Sequence, residues 1–150
     1  MDIEDKMIET TKEIFSSMVM MEIDVKRIMD DCGPLSNTIT GMVGLAGTHK
    51  GILAIHVPYP VAMAITGSFL GMDVEEINAD VHDAIGELAN MLGGNVKTIL
   101  SENGRDIELS LPSTISGSDY TFQLDKEVDK VIIEFDTGQG VFMVEMELEK

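Results

Sequence analysis

Three polar residues in the middle of the chain have the types and the spacing to do chemistry together. Asp83, Glu87 and Asn90 lie in a stretch, 81–100, whose apolar residues recur every three or four positions, which predicts an amphipathic helix. At about 100° per residue, the three side chains project within roughly 60° of one another, opposite the apolar stripe. Carboxylates accept hydrogen bonds and an amide both donates and accepts them, so this face could hold a water molecule or a polar partner.

The same pattern also fits a helix face that is simply exposed to solvent, and most polar helix faces are of this kind. Glycines set this helix apart, because Gly86, Gly93 and Gly94 lie on or beside the polar face. Each glycine costs about 0.5–1 kcal/mol relative to alanine in a helix interior. Residues that destabilise the helix in this way suggest that another surface comes close to it.

The histidines offer weaker alternatives. His82 projects about 100° away from Asp83, so the two are not expected to share a metal ion. His49 lies in a predicted turn and His56 in a strand, and neither has an evident nucleophile partner. A hydrolytic triad therefore has no support.

Cys32 is the only cysteine, which excludes an internal disulfide and argues against a thiolate zinc site. It follows Asp30 and Asp31, whose charge should raise the pKa of the thiol, and we expect it to be inert. The sequence therefore predicts no metal site and no cofactor bound by this chain.

The length and charge of the chain limit its class. A chain of 150 residues suits one domain spanning residues 1–150. Ten Lys and Arg against 27 Asp and Glu give a net charge of −17, which disfavours nucleic acid and anionic membranes as partners. The acidic N-terminus lacks a signal peptide, and no apolar run reaches the roughly 20 residues of a membrane span, so we expect a cytoplasmic protein.

Further periodic stretches must position the polar helix. One helix is predicted over 3–23, followed by an irregular stretch to residue 37, and a shorter helix begins near Pro60 and ends at Gly71. The glycine-rich stretch 38–57 reads as a β-hairpin. Strands are predicted in the C-terminal part at 107–114, 120–124, 130–136 and 141–149.

The last predicted strand alternates apolar residues with Met143, Glu145, Glu147 and Glu149, which predicts one buried and one solvated face. The whole pattern predicts an α/β (α+β) fold. In this fold, two long helices and a shorter one pack on a mostly antiparallel mixed sheet.

The motif has a fourth member, Pro112, about 22 residues after Asn90. Asp-x3-Glu-x2-Asn with this distant proline resembles the signature of the chemotaxis phosphatases of the CheC, CheX and FliY group. The similarity extends over most of the chain, from the two long helices and the hairpin between them to the strand-rich C-terminus. The single motif and the chain length are most similar to the CheX branch, which implies a CheC-like fold.

The resemblance implies hydrolysis of the aspartyl-phosphate on a CheY-type response regulator. By position, Asn90 would orient the attacking water and Glu87 would bind a lysine of the regulator. The Mg²⁺ ion would belong to the regulator. Four other residues would contact the partner: Asp83, Gly86, Gly94 and Pro112.

The first helix echoes the motif with Glu13 and Ser16, but a hydroxyl cannot reach as an amide does, so this copy is expected to have decayed. The resemblance implies one active site per chain and a homodimer whose sheets join at exposed strand edges. The alternative is a non-catalytic module that uses the same helix to sequester a regulator or to dock on a chemotaxis or flagellar complex. A relative that keeps the motif without a chemotaxis role would differ only in its partner.

Overall fold

The structure, a computed structural model, describes residues 3–101, 106–122 and 127–149. Its α-helices are α1 (Ile3–Ile14), α2 (Tyr59–Leu70) and α3 (Ala79–Leu100). Its strands are β1 (Asp24–Met29), β2 (Thr38–Gly47), β3 (Gly51–Pro58), β4 (Ile107–Leu109), β5 (Ser113–Gly117), β6 (Val128–Asp136) and β7 (Val141–Glu149).

The strands form one sheet in the order β1-β6-β7-β3-β2-β4, and β5 also pairs with β2. Every pairing between these strands is antiparallel. Three helices on such a sheet confirm the predicted α+β architecture. In the described part of the chain, no helix combines the length and the apolar character that crossing a bilayer requires.

The N-terminal region differs from the prediction of one helix over 3–23. Helix α1 ends at Ile14, a π-helical turn covers Phe15–Val19, and Met20 then adopts a left-handed conformation with φ 62°. The following residues, predicted to be irregular, form β1, which pairs with β6. This strand depends on a partner more than 100 residues away, so its own local pattern does not reveal it.

The central elements match the prediction closely. Strands β2 and β3 form the expected hairpin, Pro60 lies in the first turn of α2, and Gly71 ends α2 with φ 69°. Helix α3 begins two residues before the predicted start. Asn78 caps it by accepting a hydrogen bond from the backbone N of Val81.

Two predicted C-terminal strands differ in part from the structure. The stretch 107–114 is divided into β4 and β5 around Pro112, which has no backbone N–H to donate to a neighbouring strand. In the predicted strand 120–124, Tyr120 forms an isolated bridge to Leu35, and residues 123 and 124 lie outside the described ranges. The hairpin of β6 and β7 is antiparallel, as predicted.

The sheet has two buried faces. Residues such as Phe142 and Val144 of β7 belong to the main core on the helix side. On the other side, Glu145 and Glu147 are only 1% and 0% exposed, so the prediction of a solvated face was wrong. We call this side the back face. It is covered by two connections, one containing Cys32 and Leu35 and the other containing Tyr120 and Phe122.

Helix α3 lies unusually close to β2 on the helix side. A Cβ atom on Gly41 would lie 2.8 Å from the backbone oxygen of Ile85, and one on Gly93 would lie 2.6 Å from Val43 Cγ2. Both glycines are therefore required by helix-to-sheet packing. Gly93 is buried against the sheet, which corrects its placement beside the polar face.

Candidate active site

Helix α3 presents the motif on its outer surface. Its apolar stripe is buried against the sheet and the other helices, through Val81, Ala84, Ile85, Leu88, Ala89, Leu92 and Val96. On the opposite side, Asp83 and Glu87 are exposed and Asn90 is partly buried. The three residues thus lie along two turns of one helix face, as the spacing predicted, with their polar groups accessible from outside the molecule.

Pro112 lies beside this face in space as well as matching the motif in sequence. An added Cβ on Gly86 would lie 3.9 Å from Pro112 Cβ and 3.5 Å from Thr114 Cγ2, which are ordinary van der Waals distances. The short connection between β4 and β5 therefore flanks the turn of α3 that carries the motif. Gly86 is buried and faces this connection, whereas Pro112 is exposed.

Gly94 is the glycine that leaves open space. It lies four residues after Asn90 on the same helix face, and apart from the adjacent helix backbone no atom lies within 4 Å of the position that its Cβ would occupy. The helix surface beyond Asn90 is therefore bare, and a partner surface could approach the backbone there.

His82 fixes the start of α3 to the neighbouring strand. Its Nδ1 lies 2.7 Å from Thr114 Oγ1, and its Nε2 lies 3.3 Å from Ser116 Oγ, both within hydrogen-bonding distance. Both ring nitrogens are thus used to hold β5 against the helix. This contact helps to position Pro112 beside the motif.

The echo of the motif in the first helix has a different local structure. Glu13 lies near the end of α1, and Ser16 lies in the π-helical turn. The hydroxyl of Ser16 donates a hydrogen bond to Glu22 at 3.2 Å. Ser16 is therefore engaged with its own loop.

The structure also brings together residues that the sequence did not connect. On the back face, the ligand atoms of Cys32, His56 and Glu145 all lie within 4.8 Å of one another. His56 has no evident partner in the sequence, because Glu145 is 89 residues away from it and Cys32 lies on an irregular connection. The one available signal was the presence of Glu145 and Glu147 between apolar residues of β7.

Burial governs the ionisation of this cluster. It raises the pKa of the Cys32 thiol to about 12, with the negative charge of Glu145 as the next cause, and Asp31 contributes less. The direction agrees with the prediction, but burial matters more than the adjacent aspartates. Burial, followed by contact with Glu145, also raises the pKa of Glu147 to about 7. A thiol that is 9% exposed and protonated at neutral pH is not a nucleophile.

A wide groove of about 810 Å³ lies elsewhere on the surface. It runs between α2 and the residues that follow the π-helical turn, and its lining includes the methionines Met20, Met21, Met63 and Met72. None of the four motif residues lines it. The motif therefore lies outside this groove, on the exposed side of α3, and an exposed helix face suits a macromolecular partner better than a small substrate.

The family of this chain follows from its similarity to known proteins. A family model described as "Chemotaxis phosphatase CheX" matches residues 39–136, which include α3 and Pro112. This chain belongs to the CheX family. The match confirms the resemblance expected from the motif.

Individual relatives agree with this membership. The CheY-P phosphatase CheX of Thermotoga maritima is 24% identical over 86 residues, or 57% of this chain and 56% of that protein, so little more than half of the relative is matched. A CheX crystal structure from Desulfovibrio desulfuricans shares 26% identity and a TM-score of 0.85, covering 99% of this chain and 100% of the other. The CheX chain of a CheX-CheY-BeF3-Mg complex from Borrelia burgdorferi shares the fold, with 17% identity, 99% coverage of both chains and a TM-score of 0.78.

Proposed function

We propose that this CheX family member is a phosphatase that hydrolyses the aspartyl-phosphate of a CheY-type response regulator. The observation that carries the proposal is the exposed face of α3, where Glu87 and Asn90 project side by side with Pro112 at their flank. The curated relative is named as a phosphatase of phosphorylated CheY, and the Borrelia structure pairs CheX with CheY, BeF3 and Mg.

In the proposed mechanism, the α3 face docks against the phosphorylation site of the regulator. The Asn90 amide holds a water molecule in line with the phosphorus atom, donating to or accepting from it as required. The water oxygen attacks phosphorus, the bond between phosphorus and the aspartyl oxygen breaks, and inorganic phosphate and a free carboxylate result. Phosphoryl transfer of this kind needs positioning and charge stabilisation more than a covalent contribution from the protein.

Glu87 supplies the second proposed contact, an ion pair with a lysine of the regulator. The Mg²⁺ ion is held by the regulator and neutralises charge on the phosphoryl oxygens. This division of tasks explains why a chain with a net charge of −17 could act on a phosphate without its own basic cluster. We assign the contact surface around the two residues to Asp83, Gly86, Gly94 and Pro112.

The test is loss of phosphate from a phosphorylated CheY-type receiver domain, timed in Mg²⁺ with and without this protein. The wild type should accelerate the loss, and Asn90→Ala should reduce the acceleration by about 10²- to 10³-fold, as for the loss of one positioning hydrogen-bond group. Glu13→Ala and Ser16→Ala, at the echo of the motif, are matched controls and should act as the wild type does.

The possible outcomes separate the candidate functions. Acceleration that survives Asn90→Ala would refute the assigned mechanism. Binding to the phosphorylated receiver without any acceleration would instead support the non-catalytic adaptor. A survey of the host's receiver domains in the same assay would identify the target, which we expect to meet this protein in the cytoplasm.

We also propose a homodimer in which the two sheets join. Strand β1 is an unsuitable edge, because it carries Lys26, Arg27 and a register shift, all of which discourage pairing. At the opposite edge of the sheet, β5 has no charged residue and pairs with β2. Light scattering should therefore give a dimer mass for the wild type and a monomer mass for Ile115→Pro in β5. A monomeric wild type would refute the dimer.

A further inference from the structure

The back face holds a group of side chains with no part in the proposed phosphatase reaction. Cys32 lies in the connection between β1 and β2, His56 in β3, and Glu145 in β7. Their exposed fractions are 9%, 0% and 1%. Three ligand types of this kind, meeting in a buried place, need a physical explanation.

The carboxylates on this face are poorly satisfied. The Oε2 atom of Glu145 and both carboxylate oxygens of Glu147 have no hydrogen-bond partner among the described residues. Lys130 Nζ lies 3.9 Å from Glu147 Oε1, at the partly open end of the cluster. Glu145 Oε1 has a partner in His56 Nε2, 3.0 Å away, whereas its Oε2 atom has none in the described part of the chain. A buried carboxylate oxygen without a partner destabilises a fold, so a positive charge beside Glu145 would relieve this deficit.

We infer that Cys32, His56 and Glu145 form a binding site for a zinc-like divalent transition metal. A thiolate and a carboxylate together supply two negative charges, which a divalent cation balances. Sulfur and imidazole nitrogen ligands favour Zn²⁺ over Mg²⁺ or Ca²⁺, which prefer oxygen. The charge and the chemical type of the ligands thus agree on the same class of ion.

The distances suit such an ion. His56 Nε2 and Glu145 Oε1 are 3.0 Å apart, and all three ligand atoms lie within 4.8 Å of one another. Zinc–ligand bonds of about 2.0–2.3 Å in a tetrahedron place neighbouring ligand atoms about 3.3–3.8 Å apart. Small side-chain shifts therefore close the site, and Glu147, two residues along the same face of β7, or a water molecule can fill the fourth position.

A second layer of contacts orients the imidazole. His56 Nδ1 lies 2.8 Å from Thr40 Oγ1, which lies 2.8 Å from the hydroxyl of Tyr120. When Nδ1–H donates to Thr40, the lone pair of Nε2 points at Glu145, as a metal ligand requires. The ring of Phe122 packs edge-on against His56, with the two ring centroids 4.8 Å apart.

Metal binding would release one proton, from Cys32 Sγ to solvent, and would form the metal–thiolate bond. The high pKa of this thiol reflects its burial and the nearby negative charge, and a cation between Cys32 and Glu145 counteracts the second cause. The bound ion would fix the β1–β2 connection to the back of the sheet. Its role would be structural, because α3 lies on the opposite side of the sheet.

The experiment uses the whole 150-residue chain, first treated with a chelator and then titrated with Zn²⁺ or Co²⁺. We expect one equivalent to bind, with a thiolate-to-cobalt charge-transfer band. Because Cys32 is the only cysteine, this band reports on Cys32 alone. Cys32→Ser should abolish the band and weaken Zn²⁺ binding by about 100-fold or more, and Thr40→Val should weaken it by about 10- to 100-fold.

His49→Gln is the matched control, because His49 is exposed in the turn between β2 and β3, and it should bind Zn²⁺ as the wild type does. Cobalt bound without the charge-transfer band, or equal Zn²⁺ affinity in Cys32→Ser, would overturn the inference. The wild-type spectrum is decisive even if a buried variant such as His56→Gln fails to fold. Since no receiver domain is present, the result is independent of the proposed phosphatase activity.

Discussion

Substitutions of Glu87 and of Asn90 should change different kinetic parameters of the proposed phosphatase reaction. Asn90 is assigned to the reacting water, and Glu87 to a contact that exists before and during the reaction. Glu87→Gln should therefore raise the receiver concentration that gives half-maximal rate, by about 10-fold, and leave the rate at saturation nearly unchanged. The measurement is the rate of phosphate loss at increasing concentrations of phosphorylated receiver.

An isosteric change at Asn90 gives the complementary result. Asn90→Asp keeps the size of the side chain but replaces a donor with a negative charge that would face the phosphoryl group. The rate at saturation should fall by about 10²-fold or more, with a smaller change in half-saturation. If both substitutions altered only the half-saturating concentration, the water-positioning task of Asn90 would be wrong.

The two adjacent glycines of α3 provide a test of the helix as a whole. Gly93→Ala places a Cβ atom 2.6 Å from Val43 Cγ2, so it should lower the free energy of unfolding by about 1–3 kcal/mol. Gly94→Ala meets no atom within 4 Å and should raise it by roughly 0.5–1 kcal/mol, because alanine favours the helix. Urea denaturation of both variants measures these changes.

Gly94→Ala has a second expected effect. Although the variant should be more stable, a methyl group on the proposed docking face should weaken binding to the phosphorylated receiver. Higher stability combined with lower affinity would distinguish a contact surface from a solvated one. Unchanged affinity would remove Gly94 from the proposed contact surface.

The carboxylate of Asp106 holds the segment at the C-terminal end of α3 by two hydrogen bonds. Asp106 accepts hydrogen bonds from the hydroxyls of Ser101 and Thr48, and these bonds, the Ser101 bond first, lower its pKa. A lowered pKa stabilises the fold above the ordinary pKa of aspartate, about 3.9, and this contribution is lost as the pH falls through the folded-state pKa. Asp106→Asn should therefore be less stable than the wild type at pH 7, and the difference should shrink below about pH 4. Thermal unfolding of Asp106→Asn and of the wild type, measured from pH 7 to below about pH 4, tests this prediction.

Some elements could be predicted from the residues close to them in the sequence, and others could not. Helix α3, the hairpin and the motif were predictable, because helical periodicity, Pro60 and Gly71 act over a few neighbouring residues. Strand β1 and the burial of Glu145 were not predictable, because both depend on segments distant in sequence that fold over the sheet. Pro112 was found through its motif spacing, but its contact with the turn at Gly86 required the structure.

The sheet lies between the two proposed sites of the molecule. The proposed phosphatase face lies on α3, and the cluster of Cys32, His56 and Glu145 lies behind the sheet. Cys32→Ser should therefore leave the phosphatase rate unchanged when the variant is folded and assayed in Mg²⁺. Circular dichroism of the variant provides the control for folding. A loss of activity in folded Cys32→Ser would show that the two faces are coupled.

The close approach of α3 to β2 has a kinetic consequence. Ile85 and Gly93 touch β2 at points eight residues apart, about 12 Å along the helix, so rotation or sliding of the helix would cause clashes at both. The helix would therefore meet the proposed receiver domain already preorganised, with little conformational entropy left to lose on docking. Association should follow simple one-step kinetics without a slow isomerisation phase, and substitutions on the exposed face should act mainly on the dissociation rate.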